Sequence, residues 1–501
     1  MNSYTSWFYF GIRGLKKGMY IRLSIINLNY SRPFSSPSYR PVYRSLPKQS
    51  EWQRLPSDAT LEPLQTQFKY TWTYEPSSSD PEHYFAFALP YSYTEIQKTI
   101  AYFSKNCPSD SLFYKEVLVK SIDGRDVDLI TISNKVNFIK EREERIVSLF
   151  QSNTPRVFKS YKPVIFISAR VHPGETPASF LLDGLLMAIL GNDTRGHLLR
   201  SNFVFKIVPV LNPDGVFRGN FRVDQNGVNL NRCYQEPSLS DHPSIYAVRE
   251  YFLSIPTVKY YFDLHSQMSK KSCFLFGNYL GAERQAENQI FAKLFELNSQ
   301  YFELNDCDFT EKNMSAKDPK DHNSKEGSGR VSFFNSTGLV HCYTIESAYY
   351  IYRPLHLVPQ TVNLRTKKKF SESVYYNTLA LIPIHNRMFF CEVGVGMLLA
   401  VLDLEDLNLN SRLPLSEFRT LETMKEYLKA KNSGQTRGLS RNLLRSEITQ
   451  SKNFEKTSLP KIPYRQTHKM HTVSPIFTSA AQGIYQKPKH FPIRTKSVVK
   501  S

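Results

Sequence analysis

Aromatic and β-branched residues alternate with polar ones along the first hundred positions. "SWFYFGI" (6–12), "MYIRLSIINL" (19–28), "FKYTWTYE" (68–75) and "YFAFALP" (84–90) all read this way, and turn-rich stretches such as "SRPFSSPSYRP" (31–41) separate them. Period-two patterning bounded by Pro and Ser clusters predicts a small antiparallel β-sandwich over residues 1–105. The chain enters its first strand almost at once, so this domain is expected to be cut short. From 106 to 410 the pattern changes. Apolar runs at "VDLITIS" (127–133), "PVIFIS" (163–168), "FVFKIVPVL" (203–211), "KYYFDLHS" (259–266) and "HCYTIES" (341–347) alternate with helical stretches. Near-continuous apolar strands between helices predict an α/β domain with a sheet buried on both faces. "MFFCEVGVGMLLAVL" (388–402) carries Glu392 and falls short of the roughly 18 apolar residues of a membrane span, so it is expected in the core. "LRTKKKFSES" (364–373) is expected as an exposed insertion. From 411 to 501 periodicity fades into a polar, basic, Pro-containing stretch, predicted to be a mostly disordered tail.

Charge sharpens that last assignment. The chain of 501 residues carries a formal net charge of +19. Residues 431–501 hold fourteen Lys and Arg against two Glu, a net of +12. A tail this basic favours an anionic partner, whether nucleic acid, membrane surface or acidic protein. The six cysteines form no CxxC pair. Few and scattered, they point to reduced thiols in a cytosolic compartment. "WFYFGI" near the start is too short for the apolar core of a signal peptide.

The candidate chemistry lies at strand ends. "SARVHPGETPASFLLDGLL" (168–186) places His172 and Glu175 just beyond the end of "VIFIS", with Pro173 and Gly174 turning the chain between them. Open α/β sheets form their sites beyond the carboxyl ends of strands. A histidine nitrogen, a carboxylate and one more histidine make a three-ligand zinc site with a position open for water. His265, closing "KYYFDLH", fits as the third ligand. Asp263 shares its face two residues earlier and is placed to orient a ligand. A solvated His–Glu pair has the same local spelling; the strand-end positions favour the metal. Zinc chemistry then needs a carboxylate as general base, and Glu346 ends the strand "HCYTIE". The loop "LNPDGVFRGNFRVDQNGVNLNRCY" (211–234) adds Arg218, Arg222, Asn231 and Arg232. An Asn-Arg pair suits a carboxylate, and a separate Arg suits a developing oxyanion.

Together these strings resemble the zinc metallocarboxypeptidases, and within them the cytosolic carboxypeptidase family. The resemblance rests on "HPGETP", "NPDGVFRGNFR", "GVNLNR", "DLHS", "EGSGR" and "YTIES", in the family's order over about residues 70–350. "EWQRLP" (51–56) and "FAFALPYSYT" (85–94) resemble that family's own β-rich N-terminal domain. The resemblance implies a mixed-sheet α/β/α catalytic domain over 106–410. It implies one Zn2+ per chain held by His172, Glu175 and His265, with Glu346 as base. It gives Arg222 to the scissile carbonyl, Asn231 and Arg232 to the substrate's terminal carboxylate, and Arg330 to its last side chain. A cation there suits glutamate. The implied activity is removal of C-terminal glutamates, with polyglutamylated tubulin or other acidic C-termini as partners. No nucleic-acid or membrane partner is implied. The chain is expected to be monomeric and cytoplasmic, with microtubules or cilia as sites of association. Two positions depart from the family. "CY" follows "NLNR" where a Trp is usual, and "QMSKKS" follows "DLHS" where a His is common. The alternatives are a microtubule-binding scaffold with weak catalysis and an amidohydrolase of the aspartoacylase type.

Overall fold

The computed structural model describes residues 6–29, 39–65, 67–150, 154–318, 322–350, 354–366, 368–370 and 387–434. Among the described residues, seven strands precede residue 90: β1 Tyr9–Arg13, β2 Ile21–Leu28, β3 Val42–Leu46, β4 Gln49–Arg54, β5 Thr60–Pro63, β6 Phe68–Tyr74 and β7 Glu82–Ala86. They pair into two antiparallel sheets, ordered β1-β7-β3-β4 and β2-β6-β5. Trp72 of β6 joins the sheets by stacking on Phe8, 5.5 Å between ring centres. The predicted sandwich is present. Its hairpin β3–β4 and strand β5 escape the period-two pattern because they are polar. In β4 only Trp52 is buried.

The sandwich ends before the expected boundary at 105. Helix α1 (Tyr93–Lys105) opens on a capping box, in which Ser92 accepts from the Glu95 N–H and Glu95 accepts from that of Ser92. Its buried Ile96, Ile100 and Phe103 join the core of the following region.

That region is built on β8 Ser111–Lys120, β9 Asp126–Asn134, β12 Val164–Ala169, β13 Val204–Val208, β14 Val258–Gln267, β15 Phe274–Phe276 and β16 Cys342–Ala348. A side ribbon pairs β10 Phe138–Arg142 with β11 Phe158–Ser160. The seven-stranded sheet runs β15-β16-β14-β12-β13-β9-β8. Its centre, β16-β14-β12-β13, is parallel, and its flanks are antiparallel. All five expected strands are present. Ile165, Ile167, Phe262, Leu264, Tyr343 and Ile345 share one core cluster, which includes residues of α2 (Pro177–Ile189), α4 (Ala286–Asn298) and α6 (Met388–Leu404). Val164, Phe166 and Tyr261 belong to a second cluster with residues of α3 (Pro243–Leu253) and α5 (Gly329–Thr337). Helix α6 is the "MFFCEVGVGMLLAVL" segment. Its Glu392 caps a turn by accepting from Ser299 Oγ at 2.7 Å. No described helix is long and apolar enough to cross a membrane.

The tail expectation needs correction at its start. Leu421–Asn432 is a helix, α7, with Met424, Tyr427 and Leu428 buried in the main core. Three buried side chains in a largely polar dozen suffice because the helix lies on an existing core. Residues 435–501, where most of the basic tail falls, lie outside the described residues. The insertion at 364–373 is described through 370. Arg365, Thr366 and Lys368 there are exposed.

Candidate metal centre and surrounding cavity

Alternation along β14 points Asp263 and His265 to one face, and the parallel register sets Glu346 of β16 beside His265. His172 and Glu175 come from the turn joining β12 to α2, where Pro177 starts the helix. This turn is held from several sides. Arg170, at a left-handed φ of 57°, is almost fully buried. Its guanidinium donates to the carbonyls of Pro173 and Tyr91 at 3.1 Å and to Ser179 Oγ at 2.9 Å. Gly174 donates its N–H to Phe221 O at 2.8 Å, and its carbonyl accepts from Tyr349 at 2.9 Å. A Cβ at Gly174 would lie 2.6 Å from the Phe221 ring, so the position requires glycine.

The result is a compact donor set. Ligand atoms of His172, Glu175 and His265 lie within 4.8 Å of one another, all three residues buried. Nδ1 of His172 is 2.8 Å from Glu175 Oε1, and Nδ1 of His265 is 3.0 Å from Glu175 Oε2. The far nitrogens are engaged elsewhere. Nε2 of His172 is 3.1 Å from Asn229 Oδ1, and Nε2 of His265 is 2.9 Å from Asp263 Oδ2. Asp263 also accepts from Ser168 Oγ at 2.8 Å. Two imidazoles that aim one nitrogen inward while an oxygen holds the other, plus one carboxylate and no thiolate, form a donor set that fits Zn2+.

Charge follows burial. Burial lowers His172 to about 4, and Arg222 adds to the effect. Burial opposes charge on His265 too, but Asp263 and Glu175 hold it well above its usual value. Burial would raise Glu175, yet the two histidines keep its carboxyl far below the ordinary range. Glu346 is pushed up to about 7 by burial, with Glu175 adding to the rise and His265 opposing it. A carboxylate poised near neutrality is suited to proton transfer.

These residues open onto a cavity of about 250 Å3 lined by Arg222, Asn231, Arg232, Lys325, Arg330 and Glu346, among others. The residues assigned from the sequence line it except Asp263, which bonds the far nitrogen of His265, and Arg218, which turns away to pair with Asp123 at 2.8 Å. Asn231 accepts from the Gly329 N–H at 3.3 Å. Arg330 is 2% exposed, and its guanidinium donates to Gly277 O, Asn278 Oδ1 and Asn313 Oδ1 at 2.6–3.0 Å. These partners are neutral, and burial lowers Arg330 to about 10. Sequence reasoning missed Arg170, Asn229, Lys325 and Tyr349. Lys325 had a usable signal: it stands five residues before Arg330, directly ahead of "EGSGR".

Residues 96–269 match the family described as zinc carboxypeptidase. Cytosolic carboxypeptidase-like protein 5 of Bos taurus is 32% identical over 88% of this chain and 61% of its own length. Cytosolic carboxypeptidase 6 of Caenorhabditis elegans is 32% identical over 70% of this chain and 72% of its own. The chain thus spans about three-fifths of the length of the former relative. A crystallised metallo-carboxypeptidase from Burkholderia cenocepacia shares the fold, with a TM-score of 0.57 at 20% identity over 81% of this chain and 91% of that one. The chain belongs to the cytosolic carboxypeptidase family of zinc carboxypeptidases.

Proposed function

We propose that the chain is a zinc-dependent metallocarboxypeptidase that removes C-terminal glutamates, acting on polyglutamylated tubulin or other proteins with acidic C-termini. The observation carrying this reading is the cavity itself. It joins a His-Glu-His donor set to a carboxylate near neutrality and to four cations, Arg222, Arg232, Lys325 and Arg330. Zn2+ held by His172, Glu175 and His265 would polarise the scissile carbonyl and acidify water. Glu346 takes a proton from the water that adds to the last peptide carbonyl carbon. Arg222 donates hydrogen bonds to the carbonyl oxygen as it gains negative charge. Glu346 returns the proton to the amine nitrogen, the C–N bond breaks and the terminal amino acid leaves. Asn231 and Arg232 grip its α-carboxylate, a recognition suited to a forked guanidinium. Arg330, bonded here only to neutral oxygens among its described partners, offers its charge to a glutamate side chain.

The test is release of free glutamate from a peptide ending in several glutamates, with and without a chelator, beside Glu346→Gln. Chelator-sensitive release that falls about a thousandfold in the variant, with zinc content unchanged, is expected. Release that survives both treatments, or none from any C-terminus, would overturn the reading.

A further inference from the structure

The two arginines given to the substrate already face a carboxylate of this chain. Asp318 Oδ2 lies 3.1 Å from Arg222 Nη2 and 3.5 Å from Arg232 Nη2. The three side chains are 12%, 22% and 7% exposed, so the cluster is largely out of water. Asp318 is presented from a fixed backbone. Its N–H donates to Asn323 O at 3.0 Å, and its carbonyl accepts from the His322 N–H at 2.9 Å. Its carboxylate oxygen thus sits on both Arg232, given to the substrate's terminal carboxylate, and Arg222, given to the scissile carbonyl.

We propose that Asp318 is a built-in competitor for substrate, holding Arg232 in place of the terminal carboxylate and Arg222 in place of the scissile carbonyl. The inference rests on the carboxypeptidase reading above and deepens it. Charge-assisted hydrogen bonds are strong, and a group that loses them must be rehydrated or paired again. Substrate binding therefore exchanges Asp318 for the terminal carboxylate at Arg232 and for the scissile carbonyl at Arg222, with little net gain from those contacts. The surplus has to come from elsewhere in the cavity. Arg330 donates to three neutral oxygens, and Lys325 sits with its Nζ 4.6 Å from the Phe276 ring centre. A peptide ending in glutamate brings a second carboxylate to these two cations. A peptide ending in alanine brings none and pays the exchange without recompense. Asp318 thereby weakens binding of every C-terminus alike, and an acidic one carries the second carboxylate with which Arg330 and Lys325 make up the loss.

The experiment compares peptides ending in Glu and in Ala on the zinc-loaded chain, on Asp318→Asn and Asp318→Ser, and on Asp318→Glu. Both neutral variants are expected to lower KM for the Ala-ended peptide by about tenfold, the size of one lost charge-assisted competitor. KM for the Glu-ended peptide should fall by a similar factor, because both peptides displace the same carboxylate, kcat should hold, and Asp318→Glu should keep the parent's KM values. Unchanged KM values for both peptides would overturn the proposal. So would a raised KM, since Asp318 would then be positioning the arginines. Calorimetry with N-acetylalanine and N-acetylglutamate keeps the inference separate from the reaction. Should no peptide be cleaved by any form, the activity reading falls. Tighter N-acetylalanine binding by the neutral variants would still support Asp318 as competitor, and equal or weaker binding would overturn it.

Discussion

Four polar residues, His172, Glu175, His265 and Glu346, meet at one cavity, and their meeting was legible because each stands where an apolar strand stops or has just stopped. What holds them was not legible. Arg170 bonds Tyr91 across 79 positions, and Tyr349 bonds Gly174 across 175. Such contacts exist only once the sheet is assembled, and no spacing in the chain announces them. Asp263 lies between the two cases. Alternation placed it on the face of His265, and the structure places its Oδ2 2.9 Å from that ring. This contact fixes which nitrogen of His265 faces inward. Asp263→Asn keeps the shape but removes the charge. It is expected to weaken zinc binding by about 10- to 100-fold while leaving the fold intact. Metal-competition titration beside a thermal melt checks both halves; unchanged zinc affinity would mean that the ring needs no such anchor.

Among elements, the parallel strands were the easy part, since burial on both faces writes itself as an apolar run. The polar hairpin β3–β4 and helix α7 were not, because each borrows a core built by others. The element that matters most for the site is α2, whose first turn follows Glu175 directly. It crosses α6 with no room between the backbones. A Cβ at Gly184 would lie 2.2 Å from Cys391 O, and one at Gly394 would lie 2.4 Å from Leu181 O. Gly184→Ala is expected to cost about 1–3 kcal/mol or more, because backbone rather than a movable side chain must give way. Denaturant unfolding measures it. The same helix gives the fold a pH dependence. Asp183 accepts from the Tyr91 hydroxyl at 2.9 and 3.1 Å. Burial raises it from 3.8 to about 7, against the pull of Tyr91 and Arg387. An acid that binds its proton more tightly when folded stabilises the fold fully below its unfolded pKa and loses that contribution as pH rises through the folded one. Asp183→Asn should therefore flatten the stability profile between about pH 4 and 7 and exceed the parent at pH 8. Melts across that range would refute this if the parent's slope persisted.

At the scale of the whole molecule, the β-sandwich touches the cavity's wall rather than merely preceding it. Phe87, one residue past β7, packs edge-on against Phe221 at 5.8 Å and Tyr349 at 5.4 Å between ring centres. Phe221 precedes Arg222 and accepts from Gly174, so the sandwich supports both Arg222 and the turn that carries His172 and Glu175. Charge acts over a longer range than these contacts. The segment 431–501 holds +12 of the chain's +19. A substrate ending in many glutamates is an extended anion, and attraction between the two would speed encounter without altering the cavity. The proposed partnership with polyglutamylated tubulin therefore divides into two measurable parts. A chain truncated after residue 434 should cleave a short glutamate peptide as the full chain does, because every residue lining the cavity precedes the cut. The same truncation should bind polyglutamylated microtubules more weakly, and its co-sedimentation should depend less on salt, since screening acts on charges that are no longer there. Equal co-sedimentation at low salt would take the tail out of substrate capture and leave recognition of the acidic chain to Arg330, Lys325 and the two arginines beside Asp318.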